Sequence, residues 1–376
     1  MTEYRFIEPL DVLYLRGNAL FGDAGDHSAA LMPPWPSLAA GALRAQCLVA
    51  HGIDPSAYAH GKPLPDDLHR CLGTPAAPGT FRLRAFTLAR RCAEGRIEPL
   101  FPLPADVVVV NGQPHPLRPT PAHSALRSSY PLLLLPTLQA EAGKPESGYW
   151  LTPAGMTAYL RGTALDRDRH LVASATLWQT DSRLGIALNR ASRSAEEGRI
   201  YTTETVALRH DVGFIAAVDG ADELLPKAGL LRFGGDGRGA RMQICAPDWP
   251  QPDWSALAAA TGFRLLLTTP GLFAGGWELP GLTADRQWPV GCGVAMLQAA
   301  AVPRPQVISG WDLANWQPKP AQRLVPTGSV YWLQRREGLT MKALQALVES
   351  GLPVTEPTRR AEGFNNILIA AWLKAA

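Results

Sequence analysis

Residues 232–241 read RFGGDGRGAR, with four glycines and three arginines directly before the short apolar run 242–245. Because glycine has no Cβ, such a loop tolerates positive φ and lets a polyanion approach the main chain closely. Successive backbone N–H groups can form an anion-binding concavity, and arginine adds a planar donor fork that suits phosphate. The segment predicts a loop before a strand that holds a phosphate backbone, although a glycine-rich hairpin with solvated arginines is an equally good interpretation.

The segments around this loop predict an α+β fold. In the first half, strands are predicted over 3–7, 80–88, 200–209 and 213–218, and helices over 37–51 and 221–228. In the second half, strands are predicted over 263–269, 307–311, 329–333 and 367–372, and a helix over 339–350. The repeated order is that of the βαββαβ or ferredoxin-like (RRM-like) plan. Its four-stranded antiparallel sheet frequently binds RNA.

Length and proline content predict the domain organisation. The chain has 376 residues, which is too long for one ordinary core, so two domains are expected. The segment 246–254 (APDWPQPDW) is predicted to be an irregular linker between domain 1–248 and domain 253–376. Weak periodicity and frequent proline predict a large insertion over 113–199, with short helices of its own, one of them near 152–162.

Composition narrows the class of partner. The net charge is +3 and the isoelectric point about 8.6, which is too mildly basic for gripping duplex DNA by bulk charge. The five cysteines are scattered without a C-x-x-C pair, which favours free, buried thiols in a reducing compartment. The charged N-terminus is unlike a signal peptide, and no run of 18 apolar residues is present. A cytoplasmic protein without membrane contact is expected.

Motifs for catalysis, metal binding and nucleotide cofactors are missing from the sequence. It has no H-E-x-x-H, G-x-S-x-G or Walker A pattern, and no G-x-G-x-x-G in a βαβ context. The neighbours Asp26, His27 and Ser28 are too close in sequence to aim at one atom as a triad. Asp166 and Asp168 alternate with arginines, which indicates a solvated segment and not a metal site. No catalytic residue, metal, cofactor or small-molecule substrate is predicted.

Five segments together resemble a known family. They are FIEPLDVLYLRG (6–17), PWPSLAAGALR (34–44), RLGIALN (183–189), GRIYTTE (198–204) and RFGGDGRGA (232–240). They are similar to the third Cmr subunit of type III-B CRISPR effector complexes, a member of the RAMP superfamily. The resemblance runs from the N-terminus to the strand near Val330.

The resemblance implies two ferredoxin-like domains without catalytic activity. It implies that the subunit binds the 5′ repeat-derived tag of the guide RNA (crRNA), docks the large polymerase-like subunit and abuts the backbone RAMP subunits. The insertion would protrude and separate the tag from the guide. The predicted RNA-binding residues are the glycine loop, the positions implied to share its face and one further basic group: Gly234, Gly235, Gly237, Arg238, Gly239, Arg241, Arg16, Gly17, Arg44, Arg190 and Arg193.

The second domain departs from the superfamily pattern. Two alternative functions of the whole chain also stay open. Only Gly363-Phe364-Asn365-Asn366 remains of a C-terminal glycine motif, so this domain is expected mainly to bind protein. A metal-independent endoribonuclease that processes precursor RNA, with His27 or His123 as acid or base, is the first alternative. A protein-binding scaffold with solvated arginines is the second.

Overall fold

The computed structural model has the predicted α+β class, and the strand pairs of its main sheets are antiparallel. It describes residues 2–15, 27–28, 30–122, 132–141, 143–189, 191–221, 223–312, 315 and 317–372, with the backbone alone at 27–28, 196–201 and 311. The helices are α1 Pro36–Ala50, α2 Pro55–Ala59, α3 Asp66–Leu72, α4 Pro153–Arg161, α5 Arg167–His170, α6 Trp254–Ala259, α7 Met341–Ser350 and α8 Pro357–Ala361.

The strands range in length from two to fourteen residues. They are β1 Glu3–Pro9, β2 His27–Ser28, β3 Arg82–Arg91, β4 Ile97–Pro102, β5 Val107–Val110, β6 Gln113–Pro116, β7 Arg118–Pro121, β8 Leu134–Thr137, β9 Tyr149–Leu151, β10 Leu171–Ala173, β11 Trp178–Leu188, β12 Ala195–Leu208, β13 Val212–Asp219, β14 Ala228–Arg232, β15 Gly239–Cys245, β16 Gly262–Leu267, β17 Gln287–Val290, β18 Gly293–Ala301, β19 Gln306–Ile308, β20 Trp311–Asp312, β21 Gln317–Pro318, β22 Gln322–Leu324, β23 Val330–Arg335 and β24 Ile367–Trp372.

The chain divides into two compact units that are both discontinuous in sequence. Unit 1 comprises Met1–Ile97, Ala175–Ala246 and Val307–Gln322, and unit 2 comprises Glu98–Ser174, Pro247–Gln306 and Arg323–Ala376. One crossing, after Ala246, coincides with the predicted linker, which is irregular until Trp254 opens α6. Most of the predicted insertion counts with unit 2. The bounds 1–248 and 253–376 themselves stay a prediction.

Unit 1 contains an antiparallel sheet in the order β3-β13-β1-β15-β14. If β1, β3, β13 and β15 are counted as strands 1 to 4 along the chain, their order across the sheet is 4-1-3-2. Helix α1 packs on β3 and β14, and its buried stripe includes Leu43 and Cys47. Pro36 opens α1 after Trp35, because proline fits the first helical position, so the helix begins one residue before its predicted start at 37.

Three phenylalanines, Phe86 of β3, Phe214 of β13 and Phe233 just after β14, anchor the end of β14. The ring centroid of Phe214 lies 5.4 Å from that of Phe86 and 5.4 Å from that of Phe233. All three rings are buried, and such pairs contribute about 0.5–1.5 kcal/mol beyond their area burial. Phe233 directly precedes the first glycine of the predicted RNA-binding loop, so this cluster fixes where the loop leaves the sheet.

The helix predicted over 221–228 was wrong. Within the described part of this segment the chain turns and then enters β14 at Ala228. The buried Arg5 guanidinium donates to the carbonyl oxygens of Pro226 at 3.0 Å and Leu225 at 3.0 Å. Pro226 also lacks an N–H to donate within a helix. The segment is therefore held as a loop, and α1 is the helix that covers this sheet.

A long hairpin, β11 and β12, occupies the region where weak periodicity had predicted short helices up to residue 199. Strand β12 is tied to the segment after β1, because Leu13 and Val206 exchange N–H···O bonds of 2.8 and 2.9 Å. Leu184, Ile186 and Leu188 on β11 are exposed, Leu184 to 71%. These three residues alternate with Gly185 and Ala187, which are not polar, and residues 179–183 are all polar. The strand therefore lacks the apolar–polar alternation that marks a half-buried strand.

Unit 2 contains an antiparallel sheet in the order β17-β18-β23-β16-β24 and the smaller group β10-β9-β4. Strands β16, β18, β23 and β24 again stand in the order 4-1-3-2. Phe263 and Leu265 of β16 join the core on one face, with Leu344 of α7, and Leu266 joins the core on the other, with Met156 of α4. Burial on both faces explains the apolar run 265–267, which follows Arg264 in this strand.

Several local predictions in unit 2 were correct. Asn111 and Gly112 have φ of 51° and 72° and close the hairpin of β5 and β6, and Asn-Gly is a strong sequence signal for such a turn. Thr340 caps α7 by accepting the Ala343 N–H at 3.2 Å. The predicted strand 367–372 is β24. Asn365 and Asn366, from the reduced glycine motif, are buried and bond to neighbouring loops of the same unit.

Candidate nucleic-acid interface

The glycine loop is a tight turn between β14 and β15. The Phe233 N–H donates to the Arg238 carbonyl at 2.7 Å, and residues 235–237 form one 3₁₀ turn. Gly234 has φ 89° and ψ −173°, and Asp236 and Gly237 have φ of 56° and 65°. Positive φ at three of four consecutive residues is the conformation that the glycines were predicted to permit.

The loop lies on the main chain of the segment after β1. The Gly235 N–H donates to the Tyr14 carbonyl at 2.9 Å, and a Cβ on Gly234 would lie 3.2 Å from that oxygen. Gly239 opens β15, and its carbonyl accepts the Leu10 N–H at 3.0 Å. The Gly235 amide, which was expected to face a phosphate, is therefore used within the protein.

Arg238 is held in one orientation beside the loop. Its Nη1 pairs with a carboxylate oxygen of Asp11, and its guanidinium carbon lies 5.1 Å from the centroid of the Tyr14 ring. Asp11 is itself oriented, because its other oxygen accepts the Val12 N–H at 2.7 Å. About a quarter of the Arg238 side chain is exposed, at 27%. The guanidinium therefore offers its remaining donors from a fixed position.

Arg183 approaches the same tyrosine from strand β11. Its Nε donates to Asp181 Oδ2 at 2.9 Å, and its guanidinium also interacts with the Tyr14 hydroxyl. The hydrogen bond to Asp181, together with Tyr14, raises the pKa of Arg183 above its usual value. Neither Tyr14 nor Arg183 was among the predicted RNA-binding residues. The available signal was that each lies in one of the family-like segments, 6–17 and 183–189.

Arg241 is the third residue of β15, and its side chain is mostly exposed, at 60%. Its Nη1 is 4.0 Å from Glu8 Oε2, which also pairs with Arg91 at 3.4 Å. Arg91 lies over the Phe6 ring at 5.2 Å from its centroid. Because Glu8 faces Arg241 in the register of β1 and β15, the charge of Arg241 is partly balanced within the sheet.

The other predicted residues have different surroundings. The Arg44 guanidinium donates to the Tyr58 hydroxyl at 3.2 Å and to the Leu72 carbonyl at 3.1 Å, so it connects α1 with α2 and α3. Arg193 is exposed in the turn between β11 and β12, with φ 56°. A role of Arg44 or Arg193 in RNA binding stays a prediction. Arg16, Gly17 and Arg190 lie outside the described residues, as does His123.

The titratable groups elsewhere do not assemble into a cluster with metal-ligand composition. Among the described residues, no three His, Cys, Asp or Glu side chains come together in that way. The cysteines are free; Cys47 and Cys71 are buried as predicted, whereas Cys292 is exposed. Burial raises the pKa of the Cys47 thiol to about 12. In the described part of the chain, none of the helices is long and apolar enough to cross a membrane.

Comparison with known proteins identifies the family. The family model for CRISPR-associated protein (Cas_Cmr3) matches residues 5–372. The chain belongs to the Cas_Cmr3 family. This protein is therefore a Cmr3-type subunit of a type III-B CRISPR effector complex, as the sequence segments indicated.

The fold agrees with this membership. A chain of the type III-B Cmr-beta complex bound to cognate target RNA superposes with a TM-score of 0.52 at 15% identity, covering 97% of this chain and 96% of that one. A chain of the same complex bound to cognate target RNA and AMPPnP gives 0.52 at 14% identity, with 98% and 99% covered. At this identity the similarity concerns the fold. None of the curated proteins matches this chain.

Proposed function

We propose that this Cas_Cmr3 subunit binds the 5′ repeat-derived tag of the guide RNA through the glycine loop and its arginines, without breaking a bond. The observation that carries the proposal is the fixed guanidinium of Arg238 beside the bend Gly234–Gly237. A side-chain-poor bend lets the sugar–phosphate chain approach, and an oriented donor fork binds phosphate. Such contacts position RNA without reading its sequence.

The strand order supports the finer description of the fold. In each unit the four main strands stand in the order 4-1-3-2, which is that of a ferredoxin-like domain. Unit 1 has the first helix of that plan, α1, and unit 2 has the second, α7. We therefore assign a ferredoxin-like origin to both units. The structurally similar chains come from complexes that hold RNA, which is consistent with a holding role for this subunit.

The same proposal includes two protein partners. In the assembled particle the subunit docks the large polymerase-like subunit and abuts the backbone RAMP subunits, in a cytoplasmic antiviral ribonucleoprotein. Assembly of the particle with and without this chain tests the contact with the large polymerase-like subunit. Loss of the large subunit from particles that lack this chain is expected, and its full retention would contradict the docking role.

RNA binding by single arginine variants tests the central claim. A labelled single-stranded RNA with the 5′ repeat-derived sequence is titrated with the full chain at several salt concentrations. Arg238→Ala and Arg241→Ala should each weaken binding about three- to tenfold, since one charge-assisted contact contributes about 1 kcal/mol. Arg96→Ala is the matched control, because Arg96 is exposed and pairs with Glu94 at 3.5 Å. Wild-type affinity and salt slope in both loop variants would remove the loop from the mechanism.

The absence of catalysis needs its own experiment. His27 lies in β2, whose backbone pairs with Thr202 of β12. Incubation of the purified chain with labelled repeat RNA, without divalent metal, should leave the RNA intact. Cleavage that disappears in His27→Ala or His123→Ala would replace the holding role with that of a processing endoribonuclease.

A further inference from the structure

Two guanidinium groups from different hairpins meet at one tyrosine. Arg238 comes from the loop between β14 and β15 and stacks over the Tyr14 ring, 5.1 Å from its centroid. Arg183 comes from β11, which is brought near Tyr14 because its partner strand β12 exchanges hydrogen bonds with Leu13. A hydrogen bond with the Tyr14 side chain then adds to the rise in the Arg183 pKa. We refer to Tyr14, Arg183 and Arg238 as the Tyr14 seat.

Each arginine of the Tyr14 seat is tethered in the same way. Arg238 pairs with Asp11 through Nη1, and Arg183 pairs with Asp181 through Nε at 2.9 Å. A guanidinium has five N–H donors, so one carboxylate contact leaves others available for phosphate. Both side chains are partly open to solvent, with Arg183 at 45% and Arg238 at 27%. The two carboxylates orient the guanidinium groups, which predicts phosphate contacts at defined positions. They also partly neutralise the positive charge, which predicts phosphate contacts of moderate strength.

We propose that the Tyr14 seat is one composite site for the RNA backbone, in which Arg183 binds the phosphate next to the one that Arg238 binds. The proposal rests on the proposed function of the glycine loop and extends it to the hairpin of β11 and β12. That hairpin then forms part of the tag-binding surface and acts as more than a spacer between tag and guide.

An RNA backbone fits this site better than a protein surface does. The seat offers exposed guanidinium donors around an aromatic ring, which is the combination found in grooves that track single-stranded nucleic acid. Its neighbour is the bend at Gly237, which is exposed and where a Cβ would meet nothing within 4 Å, so the main chain is approachable there. Tyr14 is the positioning residue: it holds both arginines before RNA arrives, which reduces the ordering cost of binding.

The test uses the full chain and the labelled 5′ repeat-derived RNA in a salt titration. Arg183→Ala should weaken binding about three- to tenfold and make the salt slope shallower by about 0.7, the value for one phosphate contact to a single strand. Arg96→Ala is again the control, because Glu94–Arg96 has the same spacing of two residues as Asp181–Arg183 and is also exposed. Equal thermal melting of Arg183→Ala and Arg96→Ala verifies that the hairpin stays folded.

A second variant separates positioning from direct contact. Tyr14→Phe retains the ring under Arg238 and removes the hydroxyl that meets Arg183. It should weaken binding by less than Arg183→Ala while leaving the salt slope unchanged, because both phosphate contacts persist. A slope change in Tyr14→Phe equal to that in Arg183→Ala would contradict the assignment of Tyr14 as a positioning residue.

The outcomes distinguish this inference from the proposed function. If Arg238→Ala weakens RNA binding while Arg183→Ala matches Arg96→Ala, the composite seat is overturned and the glycine loop stands. If neither Arg238→Ala nor Arg183→Ala changes RNA binding, the proposed function of the glycine loop and the composite Tyr14 seat are both overturned. If Arg183→Ala leaves RNA affinity intact but reduces recovery of neighbouring subunits in the assembled particle, the hairpin surface binds protein, which also overturns the seat.

Discussion

Backbone conformation is sufficient to explain Gly234, before any contact with RNA is considered. Its φ of 89° and ψ of −173° lie in a region that essentially only glycine adopts, and a Cβ there would crowd the Tyr14 carbonyl at 3.2 Å. Gly41 differs, because it is exposed within α1 and a Cβ would meet nothing within 4 Å. Among the described residues, no other part of the chain passes close to Gly41.

Alanine substitutions at these two glycines should therefore have opposite effects on stability. Gly234→Ala should lower the free energy of unfolding by about 1–3 kcal/mol, the cost of a residue in such a strained region. Gly41→Ala should raise it by about 0.5–1 kcal/mol, because alanine loses less conformational entropy in a helix. Chemical denaturation of both variants measures the difference. Equal stability of Gly234→Ala and wild type would show that the loop relaxes without cost.

A buried polar group connects three elements of unit 2. Asp106, just before β5, accepts the Tyr159 hydroxyl of α4 at 2.8 Å and Arg264 Nη1 of β16 at 3.1 Å. Arg264 also donates to the Tyr159 carbonyl at 2.7 Å and lies over the Tyr159 ring, 4.4 Å from its centroid. Burial raises the pKa of Asp106, while Arg264 and the hydrogen bond from Tyr159 oppose that rise. The helix α4 is thereby held in place on the sheet.

Removing one partner of this group should cost more than removing both. Arg264→Ala leaves the Asp106 carboxylate buried without its cation, which costs about 3–5 kcal/mol of unfolding free energy. The double variant Asp106→Leu/Arg264→Met should lose less than Arg264→Ala alone. The loss in Arg264→Ala should grow as pH rises through the pKa of Asp106, because the protonated carboxyl carries no charge to leave unpaired. A loss independent of pH and equal in both variants would contradict this account.

At the scale of the whole molecule, local sequence patterns predicted two kinds of regular element. One kind has one buried and one exposed face, and the other is buried on both faces. Thus α7 with its Thr340 cap, the buried strand β16 and the Asn111-Gly112 turn could be read from the sequence. The hairpin strand β11 could not, because most of its side chains are exposed and its polar residues 179–183 do not alternate with apolar ones. The loop at Pro226 depends on Arg5, more than 200 residues away in the chain.

The candidate site was predictable only in part for the same reason. Composition identified the glycine loop and Arg238, which are adjacent in sequence. Arg183 and Tyr14 come together only because the exchanged bonds between Leu13 and Val206 hold β12, and with it β11, against the segment after β1. Arg44 was included because the resemblance implied that it shares the face of the glycine loop, and the bonds of its guanidinium to Tyr58 and Leu72 depend on tertiary packing that the sequence does not display.

The modest net charge of +3 leads to a prediction for the whole chain. If RNA binding depends on Arg183, Arg238 and Arg241, about three phosphates are neutralised, and the logarithm of the binding constant should fall with the logarithm of salt concentration with a slope of about −2, from about 0.7 per contact. Fluorescence anisotropy of the wild-type chain with single-stranded RNA between low and physiological salt measures this slope. The triple alanine variant should bring it close to zero. A wild-type slope far steeper than this would mean that the RNA follows other basic surfaces, because only additional phosphate contacts release additional counterions.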